Sequence, residues 1–424
     1  MGEIDVVMGP RIELHAGVHQ SLLDTPPPGV RHRLARCRHE YSFRDVPEDA
    51  FSPFEHFTLD EVARFDYETG RPQIVYTSRL PADGHVPWLV EADCLLATLI
   101  YGRDFILGRE EAIRQGLVDA GASRLRQRLM LRHYLDPSCH AILFRTRYRR
   151  SLALSYLASE RLLRARDLER FEAKADVLHP TMPAAPSPAV ESGPVSVLYM
   201  GRIADVKGAD VAWRVFGALA ERFGPRVELV WVGETPTRAH RPEILILPLL
   251  DRRAYLDWLR RSHVFFSPTL SESWGAALVE AACHGLAIVT TKDDGMEHAT
   301  ELFEEGRHAL LVSNRLAADA REAAFVRSLV HLLEHPEHRR AMSQMNLERT
   351  THGPLSIAER DRKLGRYYET MWAHAQATHA QRRSRRMTRL HRLHGLRHAS
   401  VSDDSLQEEY ARRLAGGGRH IRVR

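Results

Sequence analysis

A parallel sheet is the arrangement that the second half of this chain demands. Short apolar, β-rich runs at 195–200, 227–232, 244–250, 264–266 and 287–291 alternate with stretches of helical spacing. That rhythm means parallel pairing, because a parallel neighbour is reached only through a connection long enough to hold a helix. The runs are apolar at consecutive positions rather than at every second one, as strands covered by helices on both faces require. Between the first two runs, Val211, Val215, Phe216, Leu219 and Phe223 share one face of a helix predicted over 210–223, and Gly224-Pro225 stops it. The second half is read as a doubly wound α/β domain.

Upstream, Pro180, Pro183, Pro186, Pro188 and Pro194 fall within sixteen residues, too many for a helix or a central strand. A linker is therefore expected over 181–194, with one domain over 1–180 and a second over 195–354. The first domain reads as a less regular α/β layer, with strands expected at 74–77, 88–90 and 141–144 and helices at 109–120 and 152–164. Near the end, Leu364, Tyr367, Tyr368, Met371 and Trp372 follow the i, i+3, i+4, i+7, i+8 spacing. This predicts an amphipathic helix over 356–376, inside a segment 355–378 that docks on another surface. At 424 residues the chain is long enough for two or three separate cores.

Four cysteines (Cys37, Cys94, Cys139, Cys283) lie far apart without a C-x-x-C pair, and no secretory signal opens the sequence. These features predict a reducing, cytoplasmic setting. No apolar run reaches the eighteen or so residues of a membrane span, so any membrane contact is expected to be peripheral. The net charge of +5 is unevenly placed: 381–424 holds twelve arginines against four acidic residues, so residues 1–380 carry a net −3. The basic character belongs to a tail, 379–424, read first as a disordered solubilising segment. A polybasic stretch at 382–397 could hold an anionic membrane surface. Tyr410 is the tail's one aromatic residue, which argues against nucleic acid gripped by stacking. His391, His394 and His398 at i, i+3 and i+7 would form a basic helix face before they formed a metal site.

Only four of the sixty basic residues are lysines, so Lys207 draws attention. It lies in Gly201-Arg202-Ile203-Ala204-Asp205-Val206-Lys207-Gly208, directly after a buried strand and before a helix. Loops at the carboxyl ends of parallel strands are where such sheets meet ligands. A second segment, Ser271-Glu272-Ser273-Trp274-Gly275-Ala276-Ala277-Leu278-Val279-Glu280, repeats the strand, loop, helix pattern, with the helix starting near Trp274. A helix N-terminus offers unpaired amides and a favourable dipole to an anion. With Gly275 permitting close approach and Arg202 and Lys207 supplying charge, the pair describes a diphosphate pocket flanked by Glu272 and Glu280.

These two segments resemble the G-R-x4-K-G loop and the E-x7-E element of the retaining GT-B glycosyltransferases of glycosyltransferase family 4, and both match without gaps. The likeness covers roughly 195–372. It implies two Rossmann-like domains with an interdomain cleft and a C-terminal crossover helix. It further implies that Arg202 and Lys207 hold the leaving diphosphate and Glu272 the hydroxyls of the transferred sugar. Glu280 would hold the ribose, and the amides of Gly275, Ala276 and Ala277 the phosphates, with Gly201, Ser273 and Trp274 lining the pocket. Asp294-Gly295-Met296-Glu297 and the run 305–312 are similar to weaker family segments, which adds Glu297. The activity implied is transfer of a sugar from a nucleotide-diphosphate sugar to an acceptor hydroxyl, with retention and with no cofactor or metal.

The N-terminal half departs from that family pattern. Met8-Gly9-Pro10 is not the family's glycine-rich loop, and Pro87-Trp88-Leu89-Val90-Glu91-Ala92-Asp93 ends in carboxylates where the family carries a histidine. The implication is a shortened acceptor domain, closed by 139–148 and 174–180, with Glu91 and Asp93 as candidate sugar or acceptor ligands and the acceptor unidentified. Arg145, Arg147, Arg149 and Arg150 are read as a solvated cluster. No G-x-G-x-x-G, G-x4-G-K-[ST] or D-x-D is present, against dinucleotide redox, P-loop hydrolysis and metal-dependent transfer. The alternatives are an inactive sugar-nucleotide or glycan-binding protein, and a scaffold acting through its basic tail on membrane or nucleic acid.

Overall fold

The computed structural model describes residues 3–11, 14–43, 62–65, 71–82, 86–92, 124–185, 193–201, 206–233, 235, 241–272, 274–378, 397–405 and 407–408. Asp93, Arg202, Ser273, His391, His394 and the helix expected over 109–120 lie outside these residues. The chain divides into two units, Met1–Leu178 with Asp361–Arg424, and His179–Arg360.

The first unit is more regular than its sequence suggests. It opens on a buried strand, β1 (Ile4–Gly9), followed by α1 (Val18–Asp24) and β2 (Val30–Leu34). After β3 (Cys37–Phe43) and β4 (Val62–Phe65) come β5 (Ile74–Ser78) and β6 (Trp88–Ala92). The run continues with α2 (Arg124–Leu135), β7 (Cys139–Phe144), α3 (Arg147–Ser159), α4 (Ala165–Lys174) and β8 (Ala175–Val177). A six-stranded sheet in the order β2-β1-β5-β6-β7-β8 is parallel throughout. Strand β1 was not among the strands expected for this half. Ile4, Val6, Val7 and Met8 are all buried, as a strand covered on both faces requires.

The second unit holds β9 (Val195–Gly201), α5 (Ala209–Phe223), β10 (Val227–Gly233), β11 (Ile244–Leu247), α6 (Arg252–Arg261) and β12 (Val264–Ser267). These are followed by α7 (Ala276–Cys283), β13 (Ala287–Lys292), α8 (His298–Leu302), β14 (Ala309–Ser313), α9 (Ala318–Glu334) and α10 (Pro336–Thr351). Its sheet, again wholly parallel, runs β11-β10-β9-β12-β13-β14, so the strand order reverses between β9 and β12. The predicted stripe on α5 is buried, with Trp231 of β10 set against Tyr199, Trp213 and Phe216. Part of the proline-rich stretch is fixed in this unit: the Met182 carbonyl accepts from Cys283 Sγ, and the Ala185 amide donates to the Cys283 carbonyl at 2.9 Å.

Helix α11 (Ile357–Thr378) starts in the second unit and completes the core of the first. Leu364, Tyr368, Met371 and Ala375 are buried with Ile4, Val6, Met8 and Ile74. Lys363 and Tyr367 both reach the Asp176 carboxylate, at 2.9 and 2.7 Å.

The tail carries a correction. Residues Arg397–Ser402 form β15, antiparallel to β3 along six paired positions in a three-stranded sheet β15-β3-β4. The Asp403 carboxylate accepts from the Arg11 amide at 2.6 Å. A solubilising tail therefore does not extend through 397–405, and His398 sits on a strand rather than on a helix face. No described helix is long and apolar enough to cross a membrane.

Candidate functional site

Three loops of the second unit meet beyond the carboxyl ends of β9, β12 and β13, at the point where the strand order reverses. Open α/β sheets bind ligands at such points because neighbouring loops there diverge and leave a crevice. Gly208 closes the first loop in the left-handed region (φ +66°) and caps α5; a Cβ there would lie 2.1 Å from the Pro268 carbonyl oxygen. Glycine is therefore required for the first two loops to pack. The Leu270 amide donates to the Val206 carbonyl at 2.8 Å, which joins them.

Across this seam Lys207 Nζ stands 3.1 Å from Glu272 Oε1, with the two side chains 22% and 16% exposed. The helix expected to begin near Trp274 begins at Ala276, because Gly275 (φ +72°) caps α7, and Glu272 lies on the loop before it. The first amides of α7, which begins four residues after Glu272, have no carbonyl of their own turn to bond, so they point a partial positive charge out of the helix. His298, fully buried on α8, lies under Gly275: a Cβ on Gly275 would come 3.2 Å from its Nε2.

The third loop runs from Asp293 to Glu297. The Gly295 amide donates to Glu297 Oε2 at 3.0 Å, and the Glu272 amide donates to the Gly295 carbonyl at 3.1 Å. Glu297 thus shapes the loop that holds Glu272. Asn314, just after β14, donates through Nδ2 to the carbonyls of Leu270, Asp293 and Asp294 at 3.1, 3.3 and 3.4 Å, clamping the second loop to the third.

Glu280, in the second turn of α7, is 5% exposed and receives a hydrogen bond from Arg252 on α6, with Tyr255 beside it. Burial raises the Glu280 carboxyl above its ordinary value; Arg252 and Tyr255 pull it down and Glu272 pushes it up, leaving it raised.

The N-terminal candidate is a different object. Glu91, next to last in β6, has 1% of its side chain exposed and is ion-paired with Arg145, which is 2% exposed. His19 Nε2 lies 2.7 Å from Glu91 Oε2, and the Tyr76 hydroxyl donates to the same oxygen. His19 Nδ1 accepts from the His15 amide at 2.6 Å, and Arg145 Nη2 lies 3.2 Å from His19 Nε2, so Arg145 reaches both Glu91 and His19. Burial by itself would raise the Glu91 carboxyl, but Arg145 and His19, with Tyr76, hold it below its ordinary value. Glu91 is the centre of a buried charge network, not a strand-end acid facing solvent. The arginine cluster is corrected with it: Arg145 and Arg149 are buried, and Arg150 bonds the Ala175 carbonyl at 2.9 Å.

The structure thus brings together Gly201, Lys207, Glu272, Trp274, Gly275, Ala276, Ala277, Glu280 and Glu297 in one unit and leaves Glu91 in the other. Sequence reasoning missed Arg252, Tyr255, His298 and Asn314. They reach the site from α6, from α8 and from just after β14, and no local motif marks them.

Two doubly wound units, the second with three loops gathered where its strand order reverses, have the GT-B architecture. Residues 194–335 match the family described as glycosyl transferases group 1. A 2-deoxystreptamine N-acetyl-D-glucosaminyltransferase of Niallia circulans is 27% identical over 129 residues, 28% of this chain and 32% of the relative. The chain thus spans about a third of the length of that curated relative. Among solved structures, an α,α-trehalose 6-phosphate synthase from Burkholderia multivorans shares the fold with a TM-score of 0.55 at 15% identity, over 91% of this chain and 100% of that one. HepE of Anabaena, solved with UDP-glucose, does so with a TM-score of 0.50 at 9% identity, over 87% and 100%.

Proposed function

We propose that this protein is a glycosyltransferase that moves a sugar from a nucleoside diphosphate sugar to an acceptor hydroxyl, with retention at the anomeric carbon. The observation that carries this reading is the Lys207–Glu272 pair beside the amino end of α7, a cation and a carboxylate at one switch-point crevice. A diphosphate would take the α7 amides of Gly275, Ala276 and Ala277 together with Lys207 and Arg202. The sugar hydroxyls would take Glu272, released from Lys207 as the phosphate arrives, and the ribose would take Glu280. Gly201, Ser273 and Trp274 would border the donor, and Glu297 would act by shaping the loop beneath Glu272.

Charge develops on the leaving diphosphate as the glycosidic bond breaks. Fixed cations and amides aimed at it lower that barrier by roughly 3 kcal/mol per donor group. The acceptor oxygen enters from the face the diphosphate leaves and passes its proton to a departing phosphate oxygen, so no side-chain nucleophile is needed. Lys207, Arg202 and the α7 dipole supply the positive charge, which is why the reading assigns no metal. Acceptor binding falls to the first unit, and Glu91 is omitted because its oxygens are engaged internally. The N-acetylglucosaminyltransferase relative and the UDP-glucose bound to HepE make UDP-sugars the first donors to try.

The test is thermal stabilisation by a panel of UDP-, GDP- and ADP-sugars against the bare diphosphates. A donor at a hundred times its Kd adds about 2.7 kcal/mol, a shift of several degrees. The sugar-dependent part is expected to vanish in Glu272→Ala, and the anomeric coupling of the transferred sugar, read by proton NMR, then reports retention. A panel that shifts nothing would sink the reading.

A further inference from the structure

Glu280 is not a bare carboxylate waiting for a ligand. On α7 it is 5% exposed, and Arg252, the first residue of α6, reaches it from 28 positions upstream while remaining 36% exposed itself. The guanidinium also lies 5.6 Å from the centre of the Tyr255 ring, within cation–π range, so two groups fix it. Among the described residues, the charged and titratable groups facing Glu280 are Arg252 and Tyr255 from α6, Glu272 from the second loop, and Cys283 and His284 at the end of its own helix. Arg252 is the cation among them.

We propose that Arg252 is a positioning residue for the donor's ribose: it holds the Glu280 carboxylate as an anion in one orientation, and so sets selectivity for ribose over deoxyribose. This rests on the reading of Glu280 as the ribose ligand. The physical reason is the neighbourhood. A carboxylate this deeply buried, with Glu272 as a further negative neighbour, takes up a proton unless a cation compensates it. A protonated Glu280 accepts from ribose hydroxyls far less strongly than an anion does. Partial exposure leaves Arg252 room to keep its bond while a nucleoside enters alongside.

Two measurements on the full chain test this, with Arg252→Gln, Arg252→Lys and Glu280→Gln. The first is the pH titration of Glu280 in the nucleotide-free protein, by carbon NMR of labelled glutamate carboxyls, assigned through Glu280→Gln. Its midpoint is expected to rise by at least about one pH unit in Arg252→Gln and to return most of the way in Arg252→Lys. The second is affinity for UDP, or for GDP or ADP where the donor panel selects that base, against the 2′,3′-dideoxy analogue between pH 5 and 8. Wild type is expected to prefer the ribonucleotide by about tenfold or more, the range for a bond to a charged group. In Arg252→Gln that preference falls to about threefold at pH 5–6 and recovers as the pH rises, while Arg252→Lys keeps most of it.

An unmoved Glu280 midpoint in Arg252→Gln overturns the proposal, as does an equal loss of affinity for both nucleotides. If wild type and Glu280→Gln bind the two nucleotides alike, the ribose reading of Glu280 falls and the selectivity role with it. The titration then still reports whether the ion pair exists, so the two failures are told apart.

Discussion

Glu91 and Glu272 stand at or just beyond the carboxyl ends of parallel strands in two sheets of the same doubly wound plan, and they have opposite fates. Glu91 is sealed, with His19 from α1, Tyr76 from β5 and Arg145 from just after β7 gathered around it. Glu272 keeps a sixth of its side chain in solvent and faces Lys207 on a loop tied down through its backbone. Buried charge that is fully compensated serves the fold, because moving it exposes an unpaired partner. A pair that keeps part of its surface in solvent can exchange its partner for a ligand at lower cost than a sealed one. The lesson is that strand-end position nominates a carboxylate and burial decides its use.

That contrast breaks first at Glu91. Glu91→Gln strands the Arg145 guanidinium, and the expected loss of unfolding free energy in denaturant is about 3–5 kcal/mol. Once the variant is folded, nucleotide binding to the second unit should be unchanged. Glu272→Ala and Lys207→Ala should do the reverse. Stability stays within about 1 kcal/mol of wild type, while transfer falls roughly 100- to 1000-fold, measured as nucleoside diphosphate release. Asn314→Ala sharpens the point about loops held by their backbones. Losing the clamp on Leu270, Asp293 and Asp294 should cost about 1–2 kcal/mol of stability. It should also weaken nucleotide binding by about fivefold, read by calorimetry.

The smallest effect is in pH. Glu91 has its folded pKa lowered, so the stability it adds is present above its ordinary value of 4.5 and is lost as the pH falls through the folded value. Glu280 has its folded pKa raised, so its contribution is complete below 4.5 and fades as the pH climbs through the folded value. Relative to Glu91→Gln, wild type should gain stability with rising pH in the acid range. Relative to Glu280→Gln, it should lose stability above pH 4.5, on the order of 1 kcal/mol for each tenfold change in the acidity of its carboxyl on folding. Same-direction slopes for the two variants would erase the distinction.

How much of this was legible in the sequence follows from how local each signal is. The second unit's strands are apolar at every position and its loops carry their motifs in unbroken stretches, so 195–201 and 287–292 were readable to within a residue or two. Two such stretches placed Lys207 and Glu272 at one pocket, but as separate ligands of phosphate and sugar; that they pair with each other is seen only in the structure. Glu91 was visible as a strand-end acid, but its partners at 19, 76 and 145 are set by topology, and an Arg-rich chain offers many equivalent pairings. Arg252 is one arginine among many and acts across 28 residues. Strand β15, Arg-His-Ala-Ser-Val-Ser, has little apolar pattern; what makes it a strand is the open edge of β3, which the sequence of 397–402 does not describe.

The placement of α11 and β15 has a consequence for the order in which the molecule is made. The second unit is one unbroken run, His179–Arg360, and emerges from the ribosome with all of its elements in hand. The first unit is begun earlier yet lacks Leu364, Tyr368 and Met371, and the strand beside β3, until more than 180 residues later. At typical synthesis rates that is on the order of ten to forty seconds during which the faces of β1 and β5 wait without their cover. The half translated first is therefore the half whose core is completed last.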